Sequence, residues 1–440
     1  MKSYGFKGGV HPLDGKELSK DKEIVDIPAT KEMVYPLSQH IGAPAKAIVE
    51  KGDACLVGQT IAIGESFVSA DVICTVSGTV KSIEKRMTAS GNQIMSIVVD
   101  NDEEYREIEG LGREVDYQEL SKEKIREIIK KSGIVGMGGA AFPTHVKLTP
   151  KNDDDIDYVI VNGAECEPYL TSDNRVMLEN SKELVEGLKV ILRLFDNAVG
   201  VIAIEDNKPE CIKAIKELVK DENRIKVKAL RTKYPQGAER NLVYAVTGRK
   251  FNSTMLPADV GCVVNNIDTV VSIYMAVCKS TPLMRRIITV TGDAVANPGN
   301  FSAKIGTNYQ ALVEAAGGLI GEPEKIISGG PMMGTAMFTL DVPVTKNSSA
   351  IVAMSKDEVA ANEPLSCIRC GRCVAACPSG LVPQKMYEFS KHFDEENFAR
   401  IGGMECYECG SCTYVCPAKL RLTQSFKETR KSIISKRRKG

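Results

Sequence analysis

The first hundred residues contain short apolar, β-branched runs that are separated by turn signals. The runs fall between residues 24 and 99, beginning with IVDIPA, and Gly-Asp at 52–53 and Ser-Gly at 77–78 mark two of the turns. Runs of this length and composition are typical of strands. We therefore predict a small all-β domain over residues 1–115.

A helical period follows this strand pattern. Ile125, Ile128 and Ile129 recur at i, i+3 and i+4 and predict an amphipathic helix over 121–131. Further along, predicted strands alternate with predicted helices, the strands at 158–162, 199–205 and 225–230 and the helices at 184–194 and 211–219. This alternation indicates a layered α/β domain with a mainly parallel sheet over residues 116–284.

The last third of the chain divides into further segments. Residues 285–345 combine predicted strands, a helix and turn-forming glycines, and look like a β-grasp ligand-binding domain whose default role is scaffolding. We expect a polar connector at 345–362 within a cysteine-rich domain over 346–426, followed by a basic tail at 427–440. The predicted fold class is multidomain, α/β and α+β.

Composition and charge are those of an ordinary chain with several packed domains. The 440 residues are 43% hydrophobic, and 57 basic residues balance 57 acidic ones, which argues against nucleic acid as a partner. The basic tail has two interpretations, a solvated terminus or a contact with anionic lipid or an acidic subunit. Without a signal-like or membrane-spanning run, we expect a cytoplasmic chain that reaches a membrane only through partners.

Eight of the fourteen cysteines lie in two copies of one motif. Each copy has the spacing C-x2-C-x2-C-x3-C-P, in which three thiolates hold one 4Fe-4S cluster and the fourth reaches the other cluster. Zinc also binds paired cysteines, but a zinc site needs neither the duplicated third spacing nor the trailing proline. We predict two 4Fe-4S clusters with crossed ligands, one on Cys367, Cys370, Cys373 and Cys416 and the other on Cys406, Cys409, Cys412 and Cys377.

Charged residues accompany both cysteine motifs. Arg369 and Arg372 lie in the first motif, and Glu405 and Glu408 flank or lie in the second. Because local charge tunes the potential of a cluster, we expect the two clusters to differ in potential.

A glycine-rich loop directly follows the first helix of the α/β domain. Gly136, Gly138 and Ala141 formally fit the dinucleotide pattern G-x-G-x-x-G/A, but the loop follows a helix instead of a strand, so the usual placement fails. Glycines allow the backbone to approach a planar or phosphorylated ligand closely, and Lys147 is available as a countercharge.

Three segments in the same order resemble the NADH- and FMN-binding flavoprotein subunit of respiratory complex I. They are GMGGAAFPTHVK at 136–147, VNGAECEP at 161–168 and NNIDTV at 265–270. Nearly the whole chain, from FKGGVHP at 6–12 and PLSQHIGAP at 36–44 to the paired cysteine motifs, is similar to the C subunits of Rnf complexes, which are membrane-bound ferredoxin:NAD oxidoreductases that pump ions.

The β domain has a resemblance of its own. VEKGDACLVGQTIA at 49–62 and VICTVSGTV at 72–80 resemble the interlocking halves of the lipoyl and biotinyl hammerhead, a barrel-sandwich fold. Residues 69–71, at the tip of the intervening hairpin, are Ser, Ala and Asp, so we expect a structural module without the lysine of a swinging arm.

The resemblance to the complex I flavoprotein implies roles for individual residues. Those implied to border FMN, with the paired asparagines at its phosphate end, are Gly136, Gly138, Gly139, Lys147, Asn162, Glu165, Asn265 and Asn266. Those implied to meet NADH, with the first two at the position of hydride transfer, are Glu167, Phe142, Tyr234 and Glu239. Taken singly, the paired asparagines have a structural alternative as a helix cap, and Glu167 with Pro168 has one as a turn.

Two departures from the complex I pattern remove expected polar contacts. Ala164 stands where that pattern has an aspartate, and Ala238 where it has a glutamate. We expect weaker binding of FMN or NADH, or a water in place of a side chain.

Three hypotheses of function follow. The first is the peripheral electron-transfer subunit of an Rnf-type complex at the cytoplasmic face of the membrane, which passes electrons between two 4Fe-4S clusters, FMN and NAD(H). Its partners would be the membrane subunits and the iron-sulfur protein RnfB, with ferredoxin as an indirect partner. The second is a cobalamin reductase of bacterial microcompartments, which shares this architecture. The third is a non-enzymatic electron wire or scaffold with a degenerate flavin site.

Overall fold

A computed structural model describes residues 3–439 of the chain. Residues 1, 2 and 440 lie outside the described residues, as do the side chains of residues 438 and 439 in the predicted basic tail. Short 3₁₀ helices lie at Lys16–Leu18, Tyr117–Glu119, Asp153–Asp155, Pro257–Val260 and Gly403–Glu405.

The N-terminal β domain contains two small antiparallel sheets. The first strand of the chain, β1 (Ile24–Asp26), belongs to another sheet. The strands of the β domain are β2 (Glu32–Pro36), β3 (Lys46–Ala47), β4 (Ala54–Cys55), β5 (Thr60–Ile63), β6 (Val72–Ile73), β7 (Gly78–Met87) and β8 (Gln93–Asn101). They form sheets of order β2-β8-β7-β4 and β3-β5-β6, with Met33, Tyr35, Ile61 and Ile97 fully buried in the core.

The α/β domain has the predicted parallel sheet, with strand order β11-β10-β9-β12. The Ser121 side chain caps the first helix by accepting a hydrogen bond from the Lys124 amide, and this helix buries Ile125 and Ile129 as the pattern predicts. The elements are α1 (Lys122–Lys131), α2 (Thr144–Lys147), β9 (Tyr158–Gly163), α3 (Ser172–Glu179), α4 (Ser181–Leu192), β10 (Val199–Glu205), α5 (Pro209–Leu218), β11 (Ile225–Leu230), α6 (Glu239–Thr247), β12 (Cys262–Asn266) and α7 (Ile267–Cys278).

A fourth sheet, which has parallel and antiparallel pairs and which we call the mixed sheet, follows the α/β domain. Its strand order is β1-β14-β13-β17-β15-β16. The helix predicted within residues 285–345 is present and lies between β14 and β15 along the chain. The elements after α7 are β13 (Arg285–Thr291), β14 (Gly299–Lys304), α8 (Tyr309–Ala315), β15 (Lys325–Ser328), β16 (Thr335–Met337) and β17 (Ala350–Met354).

Two of our pattern-based predictions are wrong at this sheet. The pattern places the IVDIPA run in the β domain, but β1 pairs in parallel with β14. The predicted polar connector at 345–362 contains β17, which lies between β13 and β15 and is buried along most of its length. Both errors arise because pairing between strands far apart in sequence leaves no local signal, and because the polar residues that flank 350–354 obscure a five-residue apolar run.

The segment before β1, residues 4–23, runs across the other domains, and we call it the N-terminal strap. The Tyr4 amide donates to Ala229 O at 3.1 Å, beside the edge strand β11 of the parallel sheet. The Val10 amide donates to Tyr234 O at 2.8 Å. The strap then continues into β1 and so connects the α/β domain to the mixed sheet.

The cysteine-rich domain is mostly helical. Its helices are α9 (Arg372–Ala376), α10 (Pro383–Lys391), α11 (Glu395–Arg400), α12 (Ser411–Tyr414) and α13 (Leu422–Lys439). The last of these includes nearly all of the predicted basic tail, and Lys436 pairs with Glu395 at 2.8 Å. Within residues 3–439, none of the helices combines the length and the apolar character needed to span a bilayer.

Candidate functional site

The parallel sheet reverses its direction of winding between β9 and β12. The chain passes from β9 to β10 and β11 on one side, and β12 then lies on the other side of β9. Ligands of such sheets bind at this point, in the crevice outside the carboxyl ends of the strands. Asn162 and Asn266 are register partners near the ends of β9 and β12. The fold therefore brings two of the three predicted flavin segments to one edge.

The glycine-rich loop closes over the same edge. The Gly136 amide donates to Phe142 O at 2.8 Å, which fixes the ends of the loop. A Cβ at Gly138 would lie 2.9 Å from Asn266, so only glycine fits there. Gly139 is exposed, and a Cβ there would meet nothing within 4 Å. The loop thus packs against β12 at Gly138, and its backbone is open to solvent at Gly139.

A half-buried ammonium group lies beside this loop. Lys147 is the last residue of α2, and its Nζ lies 3.2 Å from Val264 O and 3.4 Å from Glu239 Oε1. Glu239 begins α6. The predicted countercharge and one predicted NADH residue are therefore neighbours at the end of β12.

The two asparagines of NNIDTV have different environments. Asn266 caps α7, since its Oδ1 accepts from the Asp268 amide at 2.9 Å, and its Nδ2 donates to Asp173 Oδ2 at 2.7 Å. Asn265 is only 2% exposed, and its two amide atoms have no hydrogen-bond partner within residues 3–439. A buried polar group without a partner costs about 1–3 kcal/mol. Together with the open face at Gly139, this unpaired amide fits a site that a polar, phosphate-bearing flavin completes.

Asn162 and Glu165 are engaged within the chain itself. The Asn162 Nδ2 donates to Gly237 O at 3.0 Å. The buried Glu165 carboxylate accepts from the Asp173 amide at 2.7 Å and from the Asn174 amide at 3.3 Å, at the start of α3. Burial raises the pKa of Glu165. Both side chains hold the 161–168 segment in place, whatever else they contact.

Glu167 and Tyr234 lie at a junction of three domains. Glu167 Oε2 accepts from the Met332 amide at 3.1 Å, and burial raises the pKa of this carboxyl to about 7. The Tyr234 hydroxyl lies 3.5 Å from Glu167 Oε1 and donates to Cys409 O at 2.6 Å. These two predicted NADH residues therefore connect the α/β domain with the mixed sheet and with a cysteine motif.

The N-terminal strap supplies residues that the sequence did not single out. Lys16 is buried, and its Nζ donates to Glu167 O at 2.9 Å and to Leu170 O. Gly8 has a φ of +81°, and a Cβ there would lie 2.7 Å from Cys377 O. The paired glycines of FKGGVHP were the available signal, because adjacent glycines often mark a close backbone approach.

One set of four cysteines lines a small cavity, which we call the inner cavity. The set is the second predicted ligand set and contains Cys377, Cys406, Cys409 and Cys412. Burial raises the pKa of the Cys406 thiol to about 11 and that of Cys412 to about 12. Thiols in such surroundings ionise when a bound metal centre compensates their charge.

The inner cavity packs against the α/β domain. The Tyr407 hydroxyl donates to Asn241 Oδ1 at 2.8 Å. Arg240 donates to Glu405 Oε2 at 2.8 Å and lies over the Tyr407 ring, 5.5 Å from its centroid. With the Tyr234 contact, these bonds fix the Cys406–Cys412 loop to α6 and the segment that precedes it.

The other four cysteines line a second small cavity, which we call the outer cavity. It contains the first predicted ligand set, Cys367, Cys370, Cys373 and Cys416. Two of these, Cys367 and Cys370, are exposed. The fourth cysteine of each motif thus lines the cavity of the other motif, as the predicted crossed arrangement requires.

The two motifs share a backbone but differ in charge. Arg369 and Glu408 occupy equivalent positions with φ of 55° and 59°. Glu408 pairs with Arg430 and Glu405 pairs with Arg240, so the negative charge expected at the second motif is offset by arginines. The sequence could not reveal this, because both arginines lie outside the motif.

Four family models match successive parts of the chain. They are the RnfC barrel sandwich hybrid domain at 4–104, the Nuo51 FMN-binding domain at 129–275, the SLBB domain at 287–336 and the 4Fe-4S dicluster domain at 366–420. Each match falls inside one of the predicted domains. The fold and the two kinds of site define an electron-transfer flavoprotein that carries two iron-sulfur clusters.

Curated relatives specify the family. The chain is 44% identical over 381 residues to the C subunit of the proton-translocating ferredoxin:NAD(+) oxidoreductase complex of Clostridium ljungdahlii, covering 87% of this chain and 83% of that protein. It is 41% identical over 440 residues to the C subunit of the Na(+)-translocating complex of Acetobacterium woodii, covering 100% and 99%. The chain belongs to the family of C subunits of Rnf-type ferredoxin:NAD oxidoreductase complexes.

Solved structures show a related fold. Two structures of an NAD+-reducing [NiFe]-hydrogenase, in the H2-reduced and air-oxidised states, superpose with TM-scores of 0.50 and 0.52 at 16% and 18% identity. They cover 72% and 70% of this chain, which itself spans 62% and 63% of the hydrogenase chains. At this identity the likeness concerns the fold alone.

Proposed function

We propose that the chain is the NAD-linked, peripheral electron-transfer subunit of an Rnf-type complex at the cytoplasmic face of the membrane. Its partners in this proposal are the membrane subunits and the iron-sulfur protein RnfB, with ferredoxin as the more distant electron donor. The observation that carries the proposal is the bond of 2.6 Å between the Tyr234 hydroxyl and Cys409 O. It joins the domain proposed for hydride chemistry to a cluster motif within one chain.

The flavin crevice is proposed to hold FMN, which takes up a hydride and releases electrons singly. The open backbone at Gly139 admits the ligand, and Gly136 and Gly138 set the shape of the loop. Lys147 supplies positive charge, and the unpaired Asn265 amide hydrogen-bonds the phosphate end. Asn162, Glu165 and Asn266 hold the surrounding segments in position.

NADH is proposed to enter from the side of Glu167 and Phe142. The Met332 amide binds Glu167 Oε2 at 3.1 Å, whereas among the described residues Oε1 has only the Tyr234 hydroxyl at 3.5 Å, which donates to Cys409 O. Oε1 is therefore the less engaged oxygen and is proposed to face the nicotinamide. Tyr234 and Glu239 border the same entrance. The cysteines of the inner and outer cavities are proposed to bind one 4Fe-4S cluster each.

The proposed function is tested on the full chain after anaerobic reconstitution with iron, sulfide and FMN. We expect the protein to retain FMN, and NADH to bleach the flavin absorbance and produce the paramagnetic resonance of reduced clusters. Retention of both clusters without FMN, or no bleaching by NADH, would support the electron-wire hypothesis instead.

Asn265 offers a sharper test of the flavin crevice. Asn265→Leu removes an amide that is buried without a partner among the described residues, so we expect the flavin-free protein to be at least as stable as wild type while FMN affinity falls. The control is Asn266→Ala, which removes a helix cap and should lower stability by about 1 kcal/mol. Unfolding temperature and fluorescence titration with FMN measure the two effects, and unchanged FMN affinity in Asn265→Leu would contradict the assignment.

A further inference from the structure

The rim of the outer cavity is open to solvent. Residues 358–372 are exposed throughout, with two of the cavity's cysteines among them. Leu365 is 66% and Ile368 is 69% exposed. The Leu365 amide donates to the carbonyl of Ala418, which lines the outer cavity. Two large apolar side chains therefore stand beside the cavity and remain largely open to solvent.

The part of this stretch nearest the cysteines carries positive charge: residues 365–372 contain Arg369 and Arg372 and no acidic residue, whereas the acidic residues of the stretch, Glu358 and Glu363, precede it. Arg369 and Arg372 make no ion pair within 4 Å among the residues that the structure describes. Glu388 already forms an ion pair with Lys385 at 2.9 Å, and Arg369 attracts the same carboxylate only from a longer distance. At the inner cavity, by contrast, each glutamate has an arginine partner.

An apolar centre with uncompensated cations around it is suited to a transient complex with an acidic protein. Complementary charge raises the rate of encounter, and a small apolar contact is sufficient for the weak interfaces that electron-transfer proteins use. The inner cavity differs, because the α/β domain, the strap and the Met332 segment of the mixed sheet contact it.

We propose that residues 365–372 form the docking surface for an acidic iron-sulfur protein that exchanges electrons with the outer cluster. This inference rests on the proposed function, since it requires a cluster in the outer cavity. Each productive encounter moves one electron. The partner's reduced cluster is oxidised, the outer cluster is reduced, and no bond forms and no proton is transferred.

The test uses the reconstituted full chain and a reduced acidic bacterial ferredoxin as the probe. Stopped-flow absorbance follows the oxidation of the ferredoxin in wild type, in the double variant Arg369→Glu with Arg372→Glu, and in the control Lys51→Glu, an exposed site in the β domain. We expect the second-order rate to fall about tenfold or more in the double variant at low salt and to change little in the control. The wild-type rate should also fall as salt is added.

A basic electron acceptor should show the opposite sign. With NADH as donor and ferricytochrome c as acceptor, we expect the double variant to be faster than wild type. If wild type and the double variant had equal rates with both probes, or if the wild-type rate with ferredoxin did not depend on salt, the proposal would be overturned. Salt-sensitive flotation of wild type, but not of the variant, with phosphatidylglycerol vesicles would assign the rim to a membrane and overturn it as well.

Flavin bleaching by NADH is recorded in every sample. Its absence in wild type would mean that the proposed function has failed. If flavin bleaching is normal and the double variant oxidises ferredoxin as fast as wild type does, only the docking surface has failed.

Discussion

The inner and outer cavities have the same local backbone and opposite surroundings. Gly371 and Gly410 stand at equivalent positions with φ of 74° and 82°. The second motif, which we call the inner motif because three of its cysteines line the inner cavity, is held by side chains of the α/β domain, and its acidic residues are paired. The first motif, which we call the outer motif, is exposed over residues 367–372, and its arginines form no ion pair within the described residues. The repeated motif thus determines what each site binds, whereas residues far from the motif determine what each site contacts.

The N-terminal strap strengthens this difference. Gly8 packs on Cys377 O, and the Gly9 amide donates to Ala376 O at 2.8 Å. Lys16 then fixes the carbonyl of Glu167 from the same segment. The strap therefore contacts the fourth ligand of the inner cavity and the proposed nicotinamide position.

The largest effect is expected from removing the fourth cysteine of one motif. Cys377→Ala should abolish the cluster of the inner cavity, whose other ligands belong to the second motif, so that bound iron falls by about half. Cys416→Ala should remove the outer cluster instead, and Cys278→Ala, a buried cysteine far from both motifs in sequence, should remove neither. Iron analysis and paramagnetic resonance distinguish these cases. Loss of the outer signal in Cys377→Ala would show that the ligands are not crossed.

The next effect concerns the strap. Gly8→Ala places a Cβ 2.7 Å from Cys377 O in a left-handed backbone conformation, and we expect a loss of about 3 kcal/mol from strain and clash together. Gly91→Ala is the matched control, because its φ is +77° and a Cβ there meets nothing within 4 Å. The difference in unfolding temperature between the two variants isolates the contact. Equal losses would mean that the strap does not constrain this part of the inner cavity.

A pH-dependent effect is expected at Glu167. Its folded pKa of about 7 is above the ordinary value of 4.5, so between these pH values the unfolded chain is ionised while the folded chain keeps the proton. The free energy of unfolding therefore falls by on the order of 2–3 kcal/mol as pH rises through this window. The loss remains at pH values above the folded pKa. Glu167→Gln removes the loss, and its stability relative to wild type should rise from pH 5 to pH 8 in thermal unfolding. A constant difference across this range would contradict the raised pKa.

The smallest effect is expected from a single hydroxyl. Tyr234→Phe removes the bond to Cys409 O and should cost about 1 kcal/mol. Tyr407→Phe removes the bond to Asn241 at the other side of the same loop and should cost a similar amount. If the two bonds act together in fixing the inner motif, each single variant already weakens the remaining bond, so the double variant should lose less than the sum of the single losses in a double-mutant cycle. Strict additivity would show that they act independently.

The sequence predicted what depends on local patterns. The cysteine spacing, the helical period at Ile125 and the alternation of strands and helices all correspond to elements of the structure. The order of the parallel sheet brings Asn162 and Asn266 together. The resemblance to the complex I flavoprotein had already assigned the segments of both residues to one FMN site. Local signals were sufficient for these features.

The sequence did not predict features that depend on distant contacts. The strand Ile24–Asp26 joins residues 300–302, which lie in the last third of the chain. Lys16 is one of many lysines in the chain, and only the fold reveals that it is buried against Glu167. The pairing of Glu408 with Arg430 likewise required the path of α13. Such contacts leave no periodicity or spacing in the sequence.

The bond from Tyr234 of the α/β domain to Cys409 O leads us to expect that the inner cavity connects the flavin site with the outer cavity. Anaerobic mixing of NADH with reconstituted Cys377→Ala and wild type, followed by rapid freezing and paramagnetic resonance, tests it directly. In both proteins we expect NADH to reduce the flavin. In wild type the inner cluster should be reduced before the outer one, and in the variant the outer cluster should be present but remain oxidised on the same time scale. Equally fast reduction of the outer cluster in both proteins would contradict the account.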